Sequence, residues 1–104
     1  MTTVTLAAMT AWLDDYLRIA DAPDHPNALN GLQVENSGSV TRLVAAVDAS
    51  LATFAGLRRG DLLLVHHGLF WDGNQPITGR HYQRLKLLLD TDAALYSAHI
   101  PLDL

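Results

Sequence analysis

The stretch Asp61-Leu62-Leu63-Leu64-Val65-His66-His67-Gly68 decides the fold. Its apolar run, Asp61 to Val65, is continuous rather than alternating, which is the pattern of a strand buried on both faces. The same arrangement lies on either side of it. Upstream, Leu43 to Val47 is a short aliphatic run that closes on Asp48, and Ser50 then offers an N-cap for a helix over Leu51 to Arg59 that Gly60 stops. Downstream, a loop from His66 to Thr78 leads to Tyr82, Leu85, Leu88 and Leu89, which mark another helix, and Ala94 to Ala98 reads as a third strand. Short apolar strands separated by helices imply βαβ units with right-handed crossovers. The spacing therefore predicts one α/β domain over residues 1–104, three-layered, with a mainly parallel sheet and flanking helices. Asp61–Val65 and Ala94–Ala98 should pair in parallel, because the helix between them has the length of a crossover.

Before this unit, Thr3 or Thr5 caps a helix that places Leu6, Met9, Leu13 and Leu17 on one stripe, widened by Trp12 and Tyr16. Pro23 and Pro26 should end it near Ala22, and a connecting or functional loop follows. Composition narrows the partners. Seven Lys+Arg against eleven Asp+Glu give a net charge of −4, which disfavours nucleic acid and anionic membranes. No apolar run approaches the roughly 20 residues of a membrane span, and the start of the chain lacks a signal-peptide pattern, so a soluble cytoplasmic protein is expected. The absence of cysteine leaves His, Asp and Glu as the only strong metal ligands.

In parallel sheets ligands bind beyond the carboxyl ends of the strands, and two polar clusters fall there. One is His66-His67-Gly68; the other runs from His99 to Asp103. Successive side chains leave a strand on opposite sides, so adjacent histidines suit two ions better than one unless the backbone bends sharply after Val65. Gly68 would let the chain leave the strand with unusual dihedrals, and Asp103 could supply an anionic oxygen. His99, four residues before Asp103, is open to three roles: ligand, orienting partner or proton donor. His25 and His81 read as solvated surface, Phe70 and Trp71 as core or pocket wall, and Asp14-Asp15 as a solvated helix face. Neither a Walker-type glycine loop nor a Ser-His-Asp order is present, which disfavours NTPase and acyl-transfer chemistry.

Three motifs in order, Asn30-Gly31-Leu32-Gln33-Val34, His66-His67-Gly68-Leu69-Phe70-Trp71 and Ser97-Ala98-His99-Ile100-Pro101-Leu102-Asp103, closely resemble the Nif-three-like family, whose members are often called GTP cyclohydrolase 1 type 2 homologs. The resemblance spans essentially the whole chain. It implies that His66, His67 and Asp103 bind a pair of divalent metal ions, with Zn, Fe and Mn all suited to such ligands, and that the protein forms ring-like homo-oligomers, commonly hexamers. Family members are more than twice this length, and a histidine and a glutamate from a C-terminal segment complete their site; a middle insertion of some members is also missing. The expectation is thus the N-terminal half of a dinuclear-metal unit, whether fragment, truncated product or one part of a two-chain assembly, that binds metal weakly by itself. A metal-dependent hydrolase acting on a small molecule, with His99 as its catalytic residue, is the first functional expectation. A non-catalytic metal-binding or interaction module working through its oligomeric surface is the second.

Overall fold

The computed structural model describes residues 3–19, 29–70 and 74–98. Strand β1 (Val4–Thr5) leads into helix α1 (Leu6–Tyr16), and β2 (Gly31–Val34), β3 (Ser39–Val40) and β4 (Arg42–Asp48) follow. Helix α2 (Leu51–Ala55), β5 (Asp61–His67), α3 (Gly79–Thr91) and β6 (Ala94–Ser97) complete the order. The main sheet runs β2-β6-β5-β4, with β4, β5 and β6 mutually parallel and β2 antiparallel to β6. The expected pairing holds, since Leu62 faces Ala94 and Val65 faces Ser97 in parallel register. A separate two-stranded ladder joins β1 to β3.

Alternation along the buried strands builds the three layers. Leu62, Ala94, Tyr96 and Ala98 join Leu6 and Leu13 of α1 on one side of the sheet. Leu63, Val65 and Leu95 join Phe54 of α2 and Leu88 of α3 on the other. Such double burial is what continuous aliphatic strands require. Tyr96 is fully buried, and its hydroxyl donates to Asp14 Oδ1 at 2.7 Å. Burial, reinforced by that carboxylate, pushes the phenol pKa up. Asp14 is therefore a tether between α1 and the sheet rather than part of a solvated face.

The helix ends depart from expectation. Helix α1 stops at Tyr16, because Arg18 turns left-handed (φ 54°) and the amides of Arg18 and Ile19 bond back to the Asp15 and Asp14 carbonyls. That is a Schellman-like termination, which usually carries glycine. Ile19 thereby returns to the core. Trp12 and Tyr16 do not widen the buried stripe; they stack on each other in solvent, 56% and 70% exposed. Helix α2 ends at Ala55 rather than Arg59, since the Arg58 amide is captured by the Asp61 carboxylate at 2.7 Å. Residues 20–28, including His25 and the expected helix end near Ala22, lie outside the described residues.

Asp61 opens β5 with a carboxylate that is only 1% exposed, gripped by two bonds of 2.8 and 2.7 Å from the Arg42 guanidinium on the neighbouring strand. Burial alone would push this carboxyl up, but the Arg42 hydrogen bonds, the Arg58 amide and the charges of both arginines outweigh it and hold the pKa below the ordinary value. Asp92, in the α3–β6 turn, is held down by the Ser37 hydroxyl and amide and by Arg59. A depressed folded pKa contributes stability that is present above the unfolded value of about 3.9 and is lost as pH falls through the folded one. Acid unfolding should therefore set in below about pH 4. Arg42→Met should move the midpoint to higher pH, as followed by circular dichroism. An unmoved midpoint would show that the pair contributes nothing.

No helix among the described residues is long and apolar enough to cross a membrane.

Candidate metal centre at the carboxyl end of the sheet

Strands β4 and β5 end together: the last pair in their register is Asp48 opposite His67. That register, set by the aliphatic pairs from Leu43–Leu62 onward, brings the Asp48 carboxylate to His67 Nδ1 at 2.8 Å. With Nδ1–H donated to Asp48, Nε2 is the ring nitrogen that would ligate a metal. This is the arrangement by which ligating histidines are usually oriented. The strand thus runs two residues further than its apolar core, and both histidines stand on it.

The rings of His66 and His67 do not diverge. Their centroids are 4.5 Å apart and their planes are nearly perpendicular, at 82°. Strand alternation would send His66 toward the α1 side and His67 toward α2 and α3, so the rings lean over the strand end to meet. Both histidines are partly exposed at the carboxyl end of β5.

The chain leaving His67 is fixed by a residue far away in sequence. Gln33 Oε1 accepts from the amides of Leu69 (2.8 Å) and Phe70 (3.1 Å), while its Nε2 donates to the carbonyls of Phe70 (2.7 Å) and Leu29 (2.8 Å). A register irregularity between Leu32 and Val34 places Gln33 at a bulge, a device that re-aims a side chain. Gly68 is not among the glycines with positive φ. Its reason is space, because a Cβ there would lie 2.4 Å from Gln33 Oε1. The expectation of unusual dihedrals at Gly68 is corrected accordingly.

Ala98 donates its amide to the Val65 carbonyl at 3.0 Å, which carries the β5–β6 pairing one residue past Ser97. His99 and Asp103 themselves, like Trp71, lie outside the described residues. Phe70 packs partly buried against the core and meets His81 edge-on at 5.0 Å. His81 is buried, at 8% exposure, rather than on the surface, because the first turn of α3 packs it against the Phe70 ring.

On the α2–α3 side of His67 a cavity of about 450 Å³ opens, bordered by Asp48, Ser50, Gly68, Arg80 and Arg84. Among the described residues, no group of three or more His, Cys, Asp or Glu is placed to hold one ion. Two adjacent imidazoles, one of them oriented by Asp48, are nonetheless of the donor type that divalent-metal ligation uses within a larger donor set. Asp48 and Gln33 escaped sequence reasoning. For Asp48 a signal existed, since it closes an apolar strand just as the doublet does.

A histidine doublet presented at the carboxyl edge of a parallel sheet, in a three-layer α/β domain, defines a class of protein that comparison resolves to a family. Residues 4–104 match the Duf34/NIF3 (NGG1p interacting factor 3) family model, and the chain belongs to that family. It is 48% identical over 97 residues to the GTP cyclohydrolase 1 type 2 homolog of Deinococcus radiodurans, covering 91% of this chain and 36% of that protein. The homolog of Pyrococcus abyssi is 46% identical over 97 residues, covering 91% of this chain and 38% of its own length. Among solved structures, TTHA1606 from Thermus thermophilus superposes with a TM-score of 0.88 at 46% identity, over 96% of this chain and 42% of that one. The chain thus spans less than half the length of these relatives.

Proposed function

We propose that this chain contributes part of a metal-dependent hydrolase site, in which His66, His67 and Asp103 hold two divalent ions (Zn, Fe or Mn) and His99 transfers a proton to or from a small-molecule substrate. The observation that carries the reading is the meeting of the two imidazoles at the sheet's carboxyl edge, with His67 oriented by Asp48. When bound, such ions supply Lewis acidity that activates water and stabilises a leaving oxygen. Asp48 keeps His67 in one tautomer and one orientation. Gln33 holds the backbone from Leu69 to Phe70, so the exit from the doublet is rigid before any ligand arrives. His99 comes two residues after the end of β6 in sequence, and imidazole is the side chain most often used for general acid–base work.

The test uses the full-length Deinococcus radiodurans relative beside this chain, each supplied with Mn²⁺, Fe²⁺ or Zn²⁺ and offered GTP and phosphoesters. The expected result is metal-dependent turnover by the longer protein, abolished when the histidines equivalent to His66 and His67 become alanine, and little or none by this chain alone. Turnover that survives those substitutions would overturn the reading.

A second reading is favoured by the other side of the molecule. Trp12, Tyr16, Leu43 and Val47 are exposed together with β4, which is an edge strand among the described residues. Exposed apolar surface beside an open strand edge suits association. Under this reading the chain is a metal-binding or interaction module of a homo-oligomer, a ring or hexamer. The same preparations would then sediment as oligomers while showing no turnover.

A further inference from the structure

We infer that the cavity beside His67 is the subsite for the phosphoryl group of a small-molecule substrate, recognised by Arg80 and Arg84. The inference deepens the hydrolase reading and rests on it, since it names the substrate class of the same site. The cavity, about 450 Å³, has the dimensions of small-molecule sites, which run from about 300 to 1,000 Å³.

Charge points to an anion. The chain is acidic overall, with only seven Lys and Arg, yet two of them border this one cavity. They stand four residues apart on α3, a spacing at which like charges repel each other unless an anion lies between them. Arg84 donates one bond, from Nη1 to the Ala49 carbonyl at 3.1 Å, which tethers the guanidinium at the cavity. Its Nε is buried without an acceptor among the described residues. Buried donors are rarely left so, and the planar fork of arginine matches phosphate oxygens geometrically. Asp48 also borders the cavity, its carboxylate hydrogen-bonded to His67 Nδ1, so the lining sets two guanidinium charges against one carboxylate. A phosphoryl group seated on them lies in the cavity that His67 borders, which places the bond to be hydrolysed beside the proposed metal ligands.

The test is a titration of this chain with inorganic phosphate, in chelator and at constant ionic strength, followed by nitrogen-15 NMR of the arginine Nε–H groups and the Gly68 amide. A parallel arm uses acetate. The expected result is saturable shifts with phosphate, weaker shifts with acetate, and a loss of affinity of roughly tenfold in Arg80→Ala and in Arg84→Met. Arg80 is exposed, so Arg80→Ala remains decisive even if Arg84→Met perturbs the packing of α3. No saturation, or an affinity unchanged in Arg80→Ala, would overturn the subsite. Because the chelator removes metal throughout, phosphate binding together with a failed turnover assay would count against the hydrolase reading and leave the anion site standing.

Discussion

Gly68→Ala is expected to destabilise the chain by about 2–3 kcal/mol, or roughly 10 °C in Tm, although it adds a single methyl group at a half-buried position. The added Cβ would meet Gln33 Oε1 at 2.4 Å and its Cδ and Nε2 at 2.7 Å. A free glutamine would swing aside. This one is anchored by three hydrogen bonds to the Leu69–Phe70 backbone and a fourth to the Leu29 carbonyl, so moving it leaves the Leu69 and Phe70 amides without their acceptor. The alternative, displacement of the backbone at Gly68, shifts His67 instead. A double-mutant cycle separates this steric account from a conformational one. In a Gln33→Ala background the methyl group has room, and Gly68→Ala should cost less than about 1 kcal/mol. If the substitution costs the same in both backgrounds, the clash with Gln33 is not its cause. Thermal unfolding of the four proteins provides the measurement.

The second large effect concerns the doublet and its orienting carboxylate. His67→Ala should weaken divalent-metal binding to below detection, because it removes one of the two imidazoles that the structure brings together. Asp48→Asn should weaken it less, by roughly 10- to 100-fold, the usual consequence of losing the group that orients a ligating histidine. The asparagine can still accept from Nδ1–H but offers the ring no negative charge. Calorimetric titration with Zn²⁺ reads both. Equal losses in the two variants would mean that Asp48 is itself a ligand rather than a positioning residue.

Much of this architecture was legible because buried parallel strands announce themselves by uninterrupted aliphatic runs. Leu62–Val65 and Ala94–Ala98 could hardly be anything else, and the crossover between them fixed their parallel direction. The helix ends were not legible. They depend on Arg18 and Asp92 adopting left-handed backbone where a glycine would have been the signal, and on Asp61 drawing an amide out of α2. Strand β2 was hidden by Gly31, by the polar Gln33 and by its bulge, all of which weaken a strand pattern. At the site, the doublet was visible as residue types at a strand end, whereas the partners that set its geometry were not. Asp48 meets His67 through a register that local patterns leave open, and Gln33 acts across 36 and 37 residues. His81 and Asp14 were assigned to the surface by their polarity, and tertiary packing placed one against Phe70 and the other on Tyr96.

The carboxyl end of β5 is the proposed metal site, with ligands that begin at His66 and His67. Its most direct test is calorimetric titration of Zn²⁺ and Mn²⁺ into this chain and into the His66→Ala/His67→Ala double variant, with circular dichroism to confirm that both are folded. The expected result is weak but saturable binding to the unaltered chain and none to the double variant. Indistinguishable isotherms for the two folded proteins would contradict it.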